Sequence, residues 1–196
     1  MSENTENGGG SLKQVAHPLK DSWILFADQN GTKKKDTSEG EWDDNMNVIF
    51  KFKTVEDFWG MYNNVKTPSI LDSGYNYRLF RSNIEPKWED PANANGGRWT
   101  ITVAQSGRKT LIDQYWLKTV LSCIGERLDD DNQICGIVVS VRKAQDKISL
   151  WTRNRKDTNT TKLIGRRLKA ELELPENITI QYYAHFGNAK QALFEI

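Results

Sequence analysis

From residue 17 onward, short β-type apolar runs alternate with longer stretches of helical period. Runs at 22–27, 48–52, 77–81, 98–104, 135–142, 147–153, 178–184 and 192–196 predict eight strands. The clearest is 98–104. Trp99, Ile101 and Val103 point one way, while Arg98, Thr100, Thr102 and Ala104 point the other. One apolar face and one polar face suit an antiparallel sheet that is covered on one side only. Thr54, with Asp57 three residues on, has the form of a helix N-cap. Val55, Phe58, Trp59 and Tyr62 follow it at i, i+3, i+4, i+7 spacing. A second helix is predicted over about 113–127, with Tyr115, Trp116, Thr119, Val120, Cys123 and Ile124 on one side. A third carries Leu163, Ile164, Leu168 and Leu172 and stops before Pro175. The pattern predicts an α+β fold: a curved, mainly antiparallel sheet of eight strands, three helices on its convex face, and a ligand cleft on the concave face. Residues 1–16, polar and containing Gly8-Gly9-Gly10, read as a disordered tail before a single domain at 17–196.

Composition adds bounds. At 37% hydrophobic and 27% charged residues the chain can bury a core. No apolar run approaches the ~20 residues of a membrane span, and the N-terminus lacks the apolar centre of a signal peptide. Cys123 and Cys135 form no CxxC pair and read as buried free thiols. A monomer of the cytosol or nucleus is expected. Net charge is +1, but between Arg142 and Lys169 ten Lys/Arg stand against two acids, Asp146 and Asp157. Such a segment is either a local anion site or the solvated face of a helix.

Three of the seven tryptophans (Trp23, Trp99 and Trp116) sit in apolar periodic patterns and read as core. Trp42 does not, because residues 32–45 around it are otherwise polar or glycine. Trp88 lies between Pro86 and Pro91, in a loop. Trp151 shares a strand face with Lys147, Ser149 and Arg153, opposite Ile148 and Leu150. Flat aromatic surfaces on polar elements suit flat ligands: bases, sugars or quaternary cations. Glu89, next to Trp88, selects among these. A carboxylate accepts two parallel N–H donors, and guanine offers such a pair at N1 and N2. Methylation at N7 makes that base cationic and strengthens its attraction to an indole face. Phosphates attached to it would need clustered cations, which the segment from Arg142 to Arg153 contains.

Together these residues resemble eukaryotic translation initiation factor 4E. The shared motifs are Thr54-Val55-Glu56-Asp57-Phe58-Trp59, Ile84-Glu85-Pro86-Lys87-Trp88-Glu89-Asp90, Gly96-Gly97-Arg98-Trp99, Trp116-Leu117, Ile124-Gly125-Glu126, Val141-Arg142 and Ile164-Gly165-Arg166. They come in the family's order from His17 almost to the C-terminus. The resemblance implies binding of the 7-methylguanosine cap of messenger RNA. Trp42 and Trp88 would sandwich the base, Glu89 would read its edge, and Trp151 would lie beside the N7-methyl group. Arg142 and Lys147 would hold the triphosphate, with Arg98 in support. No cofactor or metal is implied. A second, dorsal surface at His17, Pro18, Val55, Trp59 and Leu117 is implied to receive the scaffold initiation factor 4G, or repressor proteins, through a Tyr-x-x-x-x-Leu-apolar helix. The sequence departs from the family at Lys118, where relatives commonly carry an acid, which bears on partner choice. It departs again at Ala144, often Lys in relatives, which implies either weaker phosphate contact or a shift of that contact toward Arg153 or Arg155. The loop holding Trp42 is longer, and the region after His185 is shorter.

Two other classes compete. An enzyme could use Glu126 and Asp129-Asp130-Asp131 to hold Mg²⁺, but acidic runs of this kind are ordinarily solvated turns. No nucleophile or metal motif accompanies His17 or His185. A carbohydrate-binding module would use aromatic platforms but leaves Glu89 and the basic segment unexplained. A binding protein without catalytic residues is therefore expected, acting in translation initiation or, alternatively, as a repressor that sequesters capped messages.

Overall fold

A computed structural model describes residues 16–29, 46–186 and 191–196. Eight strands form one open, curved antiparallel sheet: β1 (Pro18–Gln29), β2 (Asn47–Thr54), β3 (Tyr75–Arg81), β4 (Gly97–Ala104), β5 (Ile134–Ser140), β6 (Gln145–Thr152), β7 (Gln181–Ala184) and β8 (Phe194–Glu195). Their order across the sheet is β2-β1-β3-β5-β6-β4-β7-β8. Each predicted strand has its counterpart. β1 is longer than its apolar run, and β7 starts three residues later than predicted.

The helices are α1 (Val55–Tyr62), α2 (Pro91–Ala94), α3 (Asp113–Ile124) and α4 (Thr158–Glu171). Three match the sequence pattern. The fourth, α2, is a single turn with Pro91 at its start and the Asp90 carboxylate accepting from the Ala92 N–H, within a region that its prolines predict to be loop. Thr54 caps α1 as predicted, its hydroxyl accepting from the Asp57 N–H at 3.1 Å.

Register sorts the sheet's two faces. Trp23, Leu25, Leu79, Ile137, Ile148, Leu150, Trp99 and Ile101 lie on one side. There they join Phe58 and Met61 of α1, Trp116, Val120 and Cys123 of α3, and Ile164 and Leu168 of α4 in one buried cluster. This is the convex, helix-covered face, and burial of these side chains is the main stabilising term. Helix α4 comes closest at Gly165, where a Cβ would stand 2.5 Å from Trp99 Cζ2. The indole cannot retreat, because its Nε1–H donates to the Thr161 carbonyl at 2.9 Å. Both cysteines are free and buried, and burial raises both thiols, Cys135 to about 12. Glu126 and the acidic run belong to the turn after α3. There Asp129 is buried, its carboxylate accepting from the backbone N–H groups of Asp131, Gln133 and Ile134.

Candidate functional site

The other face of the sheet carries a smaller cluster: Phe80, Ile84, Cys135, Val138 and Trp151. Trp151 sits on this concave face, as the alternation predicts, but it is only 4% exposed. Phe80 packs edge-on against it at 5.3 Å, and His185 lies over it at 4.0 Å. Trp151 is therefore nearly closed off by its neighbours.

Trp88 stands on the loop between β3 and β4, which is fixed from within. The Asp90 carboxylate accepts from the Glu85 and Ala92 N–H groups, each at 2.8 Å. The buried Asn93 side chain donates to the carbonyls of Glu85 and Lys87 at 2.9 and 2.8 Å. Arg78 adds a bond to the Pro86 carbonyl. On this rigid backbone the Trp88 indole is 48% exposed. Glu89 is also exposed, and its carboxylate engages no other described residue. A cleft of about 480 Å³ adjoins the loop, walled by Ile24 and Phe26 of β1 and by Ser82, Ile84 and Pro86. Trp88, Glu89 and Trp151 stand outside it. Trp42 lies outside the described residues.

The expected phosphate ligands divide into two groups. Lys147 is exposed and engages no other described residue. It pairs in register with Ser140, which pairs with Asn76, the partner of Arg142. Two strand spacings, about 10 Å, therefore separate Lys147 from the Arg142 anchor. The Arg142 guanidinium donates to the carbonyls of Tyr75 and Val141 and to the Asn76 side chain, and burial lowers its pKa. Arg153 is elsewhere. Six residues beyond Lys147 on the same strand line, it is about 20 Å away. It borders a polar cleft of about 450 Å³ with Lys20, Arg81, Asn83 and Asn132. Arg98 lies beside Trp151 in register and stacks over the Tyr183 ring at 5.8 Å. The basic segment thus forms no single patch, since Arg166, Arg167 and Lys169 belong to α4 on the opposite side of the sheet.

Sequence reasoning missed two residues here, His185 and Phe186, which follow β7. His185 is buried, and neither ring nitrogen has a hydrogen-bond partner among the described residues. Burial, with Arg98 and Arg155 nearby, lowers its pKa from 6.5 to about 3. The ring is therefore neutral at physiological pH. A folded-state pKa below the unfolded one means that the unfolded chain binds more protons between pH 6.5 and about 3. Stability from this site is complete above pH 6.5 and is lost as pH falls through that window. Urea unfolding at pH 7 and 4.5 should show wild type losing up to about 2–3 kcal/mol more than His185→Gln, from about 1.4 kcal/mol per proton and pH unit. Equal losses would contradict a buried neutral imidazole.

The predicted partner residues occupy the helical side. His17 precedes β1 and Pro18 opens it, beside the start of α1. The Val55 N–H donates to the His17 carbonyl, and the His17 ring bonds Glu56 at 2.6 Å, which lowers the Glu56 pKa to about 2. Val55 and Trp59 are 37% and 38% exposed, so Trp59 lies at the surface although Phe58 and Tyr62 flank it. Leu117 is half-buried on α3, and Lys118 beside it is bonded to Glu173 at 2.7 Å.

Comparison with known proteins places the fold in a family. Residues 18–194 match the family model described as eukaryotic initiation factor 4E. The chain is 45% identical over 179 residues to a Danio rerio eukaryotic translation initiation factor 4E-1B, covering 91% of this chain and 81% of that protein. It is 41% identical over 179 residues to Homo sapiens eukaryotic translation initiation factor 4E, covering 91% of this chain and 80% of the relative. Its fold is similar to a crystal structure of Ascaris suum eIF4E-3 with m2,2,7G cap, with a TM-score of 0.84, 38% identity, and coverage of 93% of this chain and 99% of that one. It is also similar to C. elegans eIF4E-3 in complex with the 4E-binding protein Mextli and cap analog, with a TM-score of 0.82, 35% identity, and coverage of 93% and 100%.

Proposed function

The chain belongs to the eukaryotic initiation factor 4E family, and on that premise we propose that it binds the 7-methylguanosine 5′ cap of messenger RNA and recruits the message for translation initiation. The observation that carries this reading is the half-exposed Trp88 on a rigid loop beside the unengaged Glu89 carboxylate. The indole face attracts a flat cation, and the carboxylate accepts the two N–H groups of a guanine edge. Trp42 closes the stack from the opposite side of the base, and Trp151 forms the floor near the methyl group. Lys147 and Arg142 take the triphosphate, with Arg98 in support. Arg153, about 20 Å from Lys147 and beyond Trp151 on the same strand line, does not hold the triphosphate. The role is binding, not turnover.

On the helical side, His17, Pro18, Val55, Trp59, Leu117 and Lys118 receive a partner helix from a scaffold factor or a repressor protein. The pairing of Lys118 with Glu173 favours a choice of partner different from that of relatives with an acid at this position. A factor that pairs with repressors there would sequester capped messages instead of initiating on them.

Titration with 7-methyl-GTP and with GTP, followed by tryptophan fluorescence, tests the cap reading. Strong quenching by the methylated nucleotide is expected, with at least tenfold weaker binding of GTP, from the added cation–π attraction of about 2 kcal/mol for a desolvated pair. Equal affinities would remove the methyl-sensing role of the tryptophans.

A further inference from the structure

The loop that carries Trp88 is held by hydrogen bonds to its backbone, and none of these bonds reaches the indole. Among the described residues one aromatic ring contacts it: Phe186, with centroids 6.4 Å apart and planes at 87°. That is the edge-to-face geometry that aromatic quadrupoles favour. Phe186 is anchored from the sheet and from the far end of the Trp88 loop, not through the residues next to Trp88. It follows His185, whose N–H donates to the Gly96 carbonyl and whose ring packs on Trp151. Before it, Gln181–Ala184 is paired in the sheet with β4. Two consecutive residues at the end of β7 therefore touch two aromatic walls of the site, His185 the floor and Phe186 the exposed indole. Phe186 is itself 42% exposed and belongs to neither buried cluster.

We propose that Phe186 is a positioning residue that holds the Trp88 ring upright before the ligand arrives, so that less of the binding free energy goes into ordering the indole. The proposal rests on the cap reading above. It applies to the free protein and involves no contact between Phe186 and the nucleotide.

The test uses the full chain with 7-methyl-GTP and with the cap dinucleotide 7-methyl-GpppA. Phe186→Ala should weaken both ligands by the same factor, about three- to tenfold, as expected for one aromatic pair. Phe186→Tyr, which keeps the ring, should bind like wild type. In the absence of ligand, the near-UV circular dichroism of Phe186→Ala should lose tryptophan intensity, and the loss should vanish when the substitution is made in a Trp88→Ala background. Three outcomes would overturn the proposal: unchanged affinity in Phe186→Ala, a loss confined to the dinucleotide, or a dichroism change that persists without Trp88. The dinucleotide-only loss would mean that Phe186 touches the next nucleotide. Failure of wild type to bind 7-methyl-GTP would overturn the cap reading itself, and the wild-type titration reveals this before any variant is compared.

Discussion

Replacing Trp88 by alanine is expected to lower affinity for 7-methyl-GTP on the order of 100-fold while leaving the fold intact. The indole is half-exposed on a loop whose own hydrogen bonds involve Asp90, Asn93 and Arg78 and not the ring. Its removal opens no core cavity, and a surface change of this kind moves stability by no more than about 0.5 kcal/mol. The ligand loses much more. One base–aromatic stack contributes roughly 1–3 kcal/mol, and the attraction between a methylated, cationic purine and an indole face adds on the order of 1–2 kcal/mol. Because the second contribution exists only for the methylated base, GTP should lose less than 7-methyl-GTP, and the preference for methylation should shrink with the affinity. A variant that binds weakly but keeps its full methyl preference would place the sensor elsewhere. Thermal unfolding of the same sample separates lost binding from lost folding.

Glu89→Gln should be nearly as damaging, for a different reason. The carboxylate is exposed and engages no other described residue, so the protein needs neither its charge nor its shape for packing. A guanine edge presents two donors side by side, and only a group with two acceptors satisfies both. Glutamine keeps the size but turns one acceptor into a donor that faces a donor. Charge-assisted hydrogen bonds are worth about 1.5–3 kcal/mol each, so losing one and misdirecting the other should cost on the order of 100-fold. This substitution should erode the preference for guanine over adenine while preserving the response to methylation, the reverse of the Trp88 variant. Comparing 7-methyl-GTP, GTP and ATP on both variants tests this division of labour. If both variants changed the same preference, separate roles for ring and carboxylate would be untenable.

The regular elements were legible in the sequence because their burial is periodic. Trp99, Ile101 and Val103 alternate, and all three are buried against the helices. The spacing of Val55, Phe58, Trp59 and Tyr62 marks α1 within a residue of its start. Helix α2 escaped because one turn gives no repeat to detect, although the Asp90-Pro91 pair that starts it is a cap signal. Alternation placed Trp151 on the concave face but could not show what covers that face. Phe80 from β3 and His185 after β7 meet it only through sheet pairing. Arg142, Lys147 and Arg153 lie close together in sequence, yet strand geometry sends Arg153 to the far end of the site. For Phe186 the visible signal was modest: an aromatic directly after a strand, next to a histidine. The exposed Val48, Ile49 and Phe50 on β2 show the converse limit, since apolar residues on an edge strand are not necessarily core.

The clamp itself is tested most directly by a crystal structure of the protein with 7-methyl-GTP. The rings of Trp42 and Trp88 should lie parallel on opposite faces of the base, about 7 Å apart, twice the ~3.5 Å contact distance of stacked carbon atoms. The Glu89 oxygens should stand within hydrogen-bond reach of guanine N1 and N2. A base bound away from Trp88, or stacked on Trp88 with Trp42 turned from it, would contradict the clamp.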